Sequence, residues 1–341
     1  MAGNGFNKEP LHSFDRTKRP LVSVIIPIFN GSQYVRNVFS TLNNQIFMDF
    51  EVVIVDDGSN DDTFQQIQSE IMTFKNLNIR AIRSSHQGLA ATRNIGIRNS
   101  VGNYLAFLDC DDSWQENKLK SQVEYMVQSE CVAVFSKVTL VSADGSRSLS
   151  DSNKQSISES PLDLIKREFI VYGGSSNILC KREIFEKAGI FDETLEFVED
   201  FDMWLRISKL GQIVQLPERS VDILIHPDSM QRIGSIKTKH GLLKSKVLIL
   251  SKYISEYPIE VKNEIAYTMA EELYEAVKEI DFRYIYLILV LVFQPSMHSP
   301  ATLNPLRGRV RLLLLTLCEF YKLVAKRVLG RLKRMFLSLA E

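Results

Sequence analysis

At 341 residues the chain is long enough to bury one large core or two smaller ones, and its 45% apolar and 24% charged residues place it with globular proteins rather than disordered or fibrous ones. Lys plus Arg and Asp plus Glu each number 41, a balance that speaks against a polyanion partner, so no nucleic acid is expected. The four cysteines, Cys110, Cys131, Cys180 and Cys318, show neither a paired metal-ligand spacing nor a disulfide framework, which fits a reducing compartment.

Residues 1–19 are polar and mixed in charge and read as a loose leader without the apolar core of a secretory signal. Residues 21–29 form a β-rich apolar run, and Val35, Val38, Phe39, Leu42 and Ile46 follow at helical spacing. Residues 51–55 predict a second strand that ends in Asp56, Asp57 and Gly58, and Phe64, Ile67, Ile71 and Phe74 predict the next helix. A third strand over 78–83, a helix over 89–99 and a fourth strand over 104–108 complete a strand–helix alternation. That alternation predicts an α/β fold with a mostly parallel sheet flanked by helices. Beyond it we expect a helix over 115–128, a strand over 131–141, a turn at 143–145 and a mobile loop over 146–160. Further strands are expected over 175–180, 212–216 and 221–226, and helix from about 236 almost to the end, giving a catalytic domain over 20–235 and a helical region over 236–341.

Ligands of such sheets bind beyond the carboxyl ends of the strands, and that is where the polar residues gather. Asn30 follows the first strand, Asp56 and Asp57 the second, Arg83 the third, and Asp109, Asp111 and Asp112 the fourth. Three carboxylates just past a buried strand are costly unless a cation offsets them, and alternate carboxylates suit a hard divalent ion bridging a diphosphate. The other reading is a polar turn capping the next helix. Asp56 and Asp57 either accept hydrogen bonds from a nucleoside or cap a strand-to-helix turn. Gly88 opens a helix N-terminus towards the same rim, where Arg93 meets either phosphate or the acidic strand ends. Glu199 and Asp200 start a helix, where a carboxylate is held as the anion and can act as a general base, or where acids are simply common. Trp204 fits either the core or a sugar-stacking platform.

Five segments carry a resemblance: Val22-Ser-Val-Ile-Ile-Pro-Ile-Phe-Asn30, Val53-Ile-Val-Asp-Asp-Gly-Ser59, Gly88-Leu-Ala-Ala-Thr-Arg-Asn-Ile-Gly96, Phe107-Leu-Asp-Cys-Asp-Asp112 and Val198-Glu-Asp-Phe-Asp-Met-Trp204. Together they resemble the family 2 glycosyltransferases, whose fold is of the GT-A type, over residues 20–230. The resemblance implies a nucleoside site along Pro27, Asn30 and Asp57 with Asp56 in support, and a DxD pair in Asp109 and Asp111 that takes Mn²⁺ or Mg²⁺. It implies Asp200 as catalytic base with Glu199 beside it, and an acceptor-side turn at Gly173-Gly174-Ser175-Ser176-Asn177. It also aligns His226 with a late histidine near the metal or diphosphate, although the arginine usual just before that histidine is replaced by Leu224 and Ile225. The implied reaction is inverting transfer of a sugar from a nucleotide-sugar, with a leaning to uridine, to a saccharide or lipid-linked saccharide hydroxyl in polysaccharide biosynthesis.

From residue 301 onward nine basic residues face two acids, and Leu313, Leu317, Phe320, Tyr321, Val324 and Val328 share a helical face. Such a helix either lies on an anionic membrane surface or packs on protein. With no apolar run long enough to span a bilayer, the expected location is cytoplasmic, free or peripheral at the membrane face. A sugar-phosphate nucleotidyltransferase would carry a Gly-rich phosphate loop after Phe29, and none is there; a catalytically inactive scaffold would not need Asp109, Asp111 and Asp200.

Overall fold

The computed structural model describes residues 19–142, 144–149, 156–158 and 174–226, together with Ser245 and Ile249. All of them fall in the compact unit Met1–Ile249. The expected leader up to residue 18, Gly173, and the helical region over 236–341 with its basic tail lie outside the described residues, apart from those two positions.

Strand β1 (Val22–Ile28) is buried along its whole length, as its unbroken apolar run requires of a central parallel strand. It pairs in parallel with β2 (Phe50–Asp56) on one side and β4 (Tyr104–Phe107) on the other, and β3 (Ile79–Arg83) runs parallel to β2 at the edge. The two faces of β1 have different partners. Val22, Val24, Ile26 and Ile28 join a core with Val35, Val38, Phe39 and Leu42 of helix α1 (Val35–Asn43) and Ile67 and Ile71 of α2 (Thr63–Thr73). Ile25 faces α3 (Leu89–Arg98) so closely that a Cβ on Gly96 would stand 2.3 Å from its Cγ2. Only glycine lets that helix seat on the sheet.

Past β4 the sheet becomes mixed. Its order is β3-β2-β1-β4-β9-β6-β10-β5, where β5 is Ser113–Trp114, β6 Ala133–Ser142, β9 Ile178–Lys181 and β10 Ile213–Ile225. Strand β9 is antiparallel to both β4 and β6, whereas β10 is parallel to β6. Short strands β7 (Arg147–Leu149) and β8 (Ser156–Ser158) pair with β6 and β10. Helices α4 (Lys118–Gln128), α5 (Arg182–Ala188) and α6 (Glu199–Ser208) complete the described fold.

Three expectations change. The two strands expected over 212–216 and 221–226 are one strand, interrupted by register shifts between Gln215 and Arg219 and between Arg219 and Val221. Pro217 lies in that interruption, which is where a strand tolerates a residue without an N–H. Within the loop expected over 146–160, residues 147–149 and 156–158 are strands. The first follows a tight turn in which Gly145, at φ +81°, donates its N–H to the Ser142 carbonyl at 2.8 Å. Finally, residues 174–177 form a 3-10 turn, and the strand expected from 175 begins only at Ile178. Among the described residues no helix is long and apolar enough to cross a membrane.

Candidate active site

The four parallel strands end at one rim. Register places Ile28 beside Asp56 and Asp56 beside Arg83, and Leu108 follows β4 at the same edge. Pro27 is buried within β1, opposite Val55. Asn30 turns the chain at φ +48°; its backbone N–H donates to Ser59 Oγ at 2.9 Å and its Oδ1 accepts the Asn60 N–H at 2.8 Å. Asp56 is fully buried, accepts the Ser59 N–H at 3.1 Å and pairs with Arg83 Nε at 3.3 Å. Asp57 is occupied as well. Its two oxygens accept the Gln87 and Gly88 N–H groups at 2.8 and 2.9 Å, and His86 Nδ1 lies 2.8 Å from one of them. Asp56 therefore serves the turn after its own strand, as the sequence also allowed, whereas Asp57 ties down the loop that leads into α3. His86 stacks on Phe29 with ring centroids 4.2 Å apart, leaving an exposed aromatic pair on the rim. Neither was singled out from sequence, yet an aromatic directly after a buried strand was a readable signal.

Arg93, on α3, is 2% exposed and joins the two acidic halves of the site. Its Nη2 donates to Asp109 Oδ1 at 2.8 Å and its Nη1 to Glu199 Oε1. Burial alone would make the guanidinium easier to deprotonate, but Asp109, Glu199 and Asp200 outweigh it and hold the group more firmly charged than usual. A side chain so enclosed holds the acidic strand ends and does not meet phosphate, which corrects its assignment as a ligand contact. Asp200 begins α6 next to Glu199. Burial, and then the Glu199 charge, push its carboxyl up to about 7, although Arg93 and the Phe201 N–H at 2.7 Å pull the other way. A base poised near neutrality is what proton abstraction from a hydroxyl requires.

After β4, Asp109 and Asp111 remain 30% and 27% exposed, while Asp112 is buried. His226, just beyond β10, brings Nε2 within 3.1 Å of Asp111 Oδ2, so the late histidine does reach the acidic loop despite the missing arginine. Burial, with Asp109 alongside, holds the Asp111 carboxyl above the ordinary range. Repulsion of that kind is relieved by a cation. Among the described residues no set of three His, Cys, Asp or Glu side chains is gathered closely enough to hold a metal by itself. The donor set fits Mg²⁺ or Mn²⁺ in its usual form, held by one or two carboxylates and completed by substrate phosphates and water.

In the turn expected to face the acceptor, Gly174 at φ +48° lies against Asp200, and a Cβ there would stand 3.0 Å from Oδ2. Ser175 is fully buried, and its hydroxyl has no hydrogen-bond partner among the described residues. Trp204 is 1% exposed and packs edge-on against Phe135 and Phe191. A ring in the core offers no face to a sugar, so the stacking-platform reading is corrected. Ser176, which the sequence placed only within the Gly173–Asn177 turn, donates to Asp112 Oδ2 at 2.5 Å.

The family model for glycosyl transferase family 2 matches residues 23–189. A Bacillus subtilis glycosyltransferase named for teichuronic acid biosynthesis, TuaG, is 33% identical over 127 residues, 37% of this chain and 50% of that protein. The chain spans 28–61% of the length of the Rickettsia relatives it matches, all named as glycosyltransferases. Staphylococcus aureus TarS 1–349, solved with UDP-GlcNAc, is similar in structure at a TM-score of 0.60 and 20% identity, covering 75% of this chain and 72% of that one. The Pyrobaculum calidifontis mannosyltransferase PcManGT, solved with GDP-Man and Mn²⁺, has a TM-score of 0.54 at 17% identity and covers 86% of this chain and 85% of that one.

Proposed function

Through residues 23–189 the chain belongs to glycosyl transferase family 2, on a GT-A-type fold, and from that premise we propose that it is an inverting, metal-dependent glycosyltransferase. In this reading it moves a sugar from a nucleoside-diphosphate donor, a UDP-sugar by preference, to a hydroxyl of a saccharide or lipid-linked saccharide during polysaccharide assembly. The observation that carries the reading is the Arg93 bridge, which brings Asp109 of the donor side and Glu199 of the base-bearing helix to one guanidinium.

The acceptor enters beside Gly174, where the absent side chain leaves room over Asp200. Asp200 takes the proton from the acceptor hydroxyl. The oxygen attacks the anomeric carbon from the side opposite the diphosphate, the bond to the diphosphate oxygen breaks, and its electron pair leaves with the nucleotide. Configuration inverts because there is one displacement. Asp111 and Asp109 would hold the metal together with donor phosphates and water, with His226 steadying Asp111, and the metal when bound would neutralise charge on the departing diphosphate. The N-terminus of α3, which carries no side-chain cap, adds its dipole at the same rim. The exposed Phe29–His86 pair offers a flat face to a base.

The nucleotides bound by TarS and PcManGT, and the Mn²⁺ of PcManGT, support the donor class and the ion. The names of TuaG and TarS's ligand support a saccharide product. The basic tail would seat the enzyme at an anionic membrane surface. Flotation with liposomes containing anionic lipid tests that part: the full chain floats, and a version with the tail lysines and arginines changed to glutamine stays at the bottom. The catalytic reading is tested by release of UDP or GDP from a panel of nucleotide-sugars with Mn²⁺ and oligosaccharide acceptors. Release that survives unchanged in Asp200→Asn would remove that residue as the base.

A further inference from the structure

One buried contact links parts of the site that no sequence pattern connects. Ser176 and Asp112 are 0% and 5% exposed. The Ser176 hydroxyl donates to Asp112 Oδ2 at 2.5 Å and accepts the backbone N–H of Asp109 at 3.0 Å. The other Asp112 oxygen accepts the Leu224 N–H at 3.3 Å, two residues before His226. The Ser176 carbonyl accepts Trp114 Nε1–H at 2.8 Å. The next residue, Asn177, accepts from Gln122 Nε2 on its carbonyl at 2.7 Å, and its own Nδ2 donates to the Ser136 carbonyl at 3.1 Å. The turn is thus fixed to α4 and β6 from behind. Two residues before Ser176, a Cβ at Gly174 would stand 3.0 Å from Asp200 Oδ2.

The geometry points to Ser176, acting through Asp112, as a positioning residue that sets the Asp109–Asp111 loop and the approach to His226 relative to Asp200. Asp112 is not itself a ligand in this arrangement, because both of its oxygens are engaged and it is buried. A serine suits the place because its small hydroxyl can donate to a carboxylate and accept an amide at once. Alanine would leave the Asp109 N–H and Asp112 Oδ2 without that partner. The Asp109 backbone and the strand end leading to His226 would then each lose an anchor. Groups behind metal ligands typically change metal affinity or activity by about 10–100-fold when removed. The inference rests on the proposed metal-dependent transfer.

The test measures Mn²⁺ binding by loss of the free-ion electron paramagnetic resonance signal, with UDP and with GDP present, for the full chain and for Ser176→Ala and Asp111→Ala. Thermal melting reports the fold of each variant. Asp111→Ala should abolish binding, and Ser176→Ala should raise the half-saturating Mn²⁺ concentration by about 10-fold. Turnover should show a lower kcat with a donor KM changed far less. Loss of binding in Asp111→Ala with Ser176→Ala within about twofold of the parent overturns the positioning role, even if the melting temperature falls. Unchanged binding in Asp111→Ala overturns the metal reading and this inference with it. Should Ser176→Ala not fold, Ser176→Cys, whose thiol is slightly larger and a weak donor and acceptor, carries the test under the same twofold criterion.

Discussion

Asp200 sits where three effects meet: burial and the neighbouring Glu199 raise its pKa, and Arg93 lowers it, with a balance at about 7. As the proposed general base it would work only when ionised, so kcat/KM should rise with pH through about 7 and level off above it, read in a pH–rate profile. Asp200→Asn should lower kcat by about 10²–10⁴-fold. The stability consequence has the opposite sign. A carboxyl whose folded pKa lies above its unfolded value binds its proton more tightly in the folded state. Its contribution to stability is therefore full below about pH 4 and lost as pH rises through about 7. Asp200→Asn, inactive at pH 8, should melt at a higher temperature than the parent there, and the difference should shrink at pH 5. Arg93 supplies a second residue-scale expectation. Its loss leaves Glu199 buried without its cation, and breaking a buried pair by removing one partner costs about 3–5 kcal/mol. Denaturant unfolding of Arg93→Ala should show a loss of that order, and Arg93→Lys should rescue little, because one ammonium cannot reproduce two directed N–H donors. The acids of the site were legible in the sequence because carboxylates after a buried strand or at a helix start follow a pattern. Arg93 was legible only as an ambiguity, since phosphate contact and ion pairing demand the same residue type and differ in burial alone. Trp204 illustrates the same limit. Ser176 was legible only as a member of the Gly173–Asn177 turn; its contact with Asp112 was not, because it spans 64 residues and joins two small polar side chains with no periodicity.

At the scale of elements, the parallel half of the sheet depends on how closely α3 lies on β1. Gly96→Val would drive side-chain carbon into Ile25, where even a Cβ stands 2.3 Å from Cγ2. Overpacking of this kind costs about 1–3 kcal/mol. Because Arg93 rides on the same helix, the variant should lose donor turnover as well as stability, measured by melting and by nucleotide release. The first four strands and their helices were readable because a parallel strand buried on both faces gives a continuous apolar run and each crossover helix gives a 3.6-residue period. The second half was harder. Strand β10 reads as two strands because Pro217 and the polar residues around it interrupt the apolar pattern, although the chain continues through a bulge. Strands β7 and β8 have three residues each, too few for a period, and their pairing with β6 and β10 is set by tertiary contact. The 3-10 turn at Gly174–Asn177 combines a glycine at positive φ with three buried polar residues, a combination that looks like loop or strand from sequence and is fixed by hydrogen bonds from elsewhere.

For the molecule as a whole, the sheet divides the labour. Its parallel half presents Asp56, Asp57 and Asp109 at one rim, and its mixed half brings Ser176, Asp200 and His226 to meet them. Arg93 and the Ser176–Asp112 pair are two of the links between these halves, beside the β4–β9 pairing and the hydrogen bonds of Asn94 to Phe191 and of Arg182 to Ser100. A ligand that spans both halves should stabilise the fold by mass action. UDP or GDP with Mn²⁺ should therefore raise the melting temperature more than either component alone, and Asp111→Ala should remove that synergy. The most direct measurement of the central claim is release of nucleoside diphosphate from a panel of UDP- and GDP-sugars, with oligosaccharide acceptors, by the parent chain, Asp111→Ala and Asp200→Asn, each with Mn²⁺ and with a chelator. The account predicts release by the parent with Mn²⁺ only, and near-complete loss in both variants. Release that continues in the chelator, or that both variants sustain at the parental rate, would contradict it.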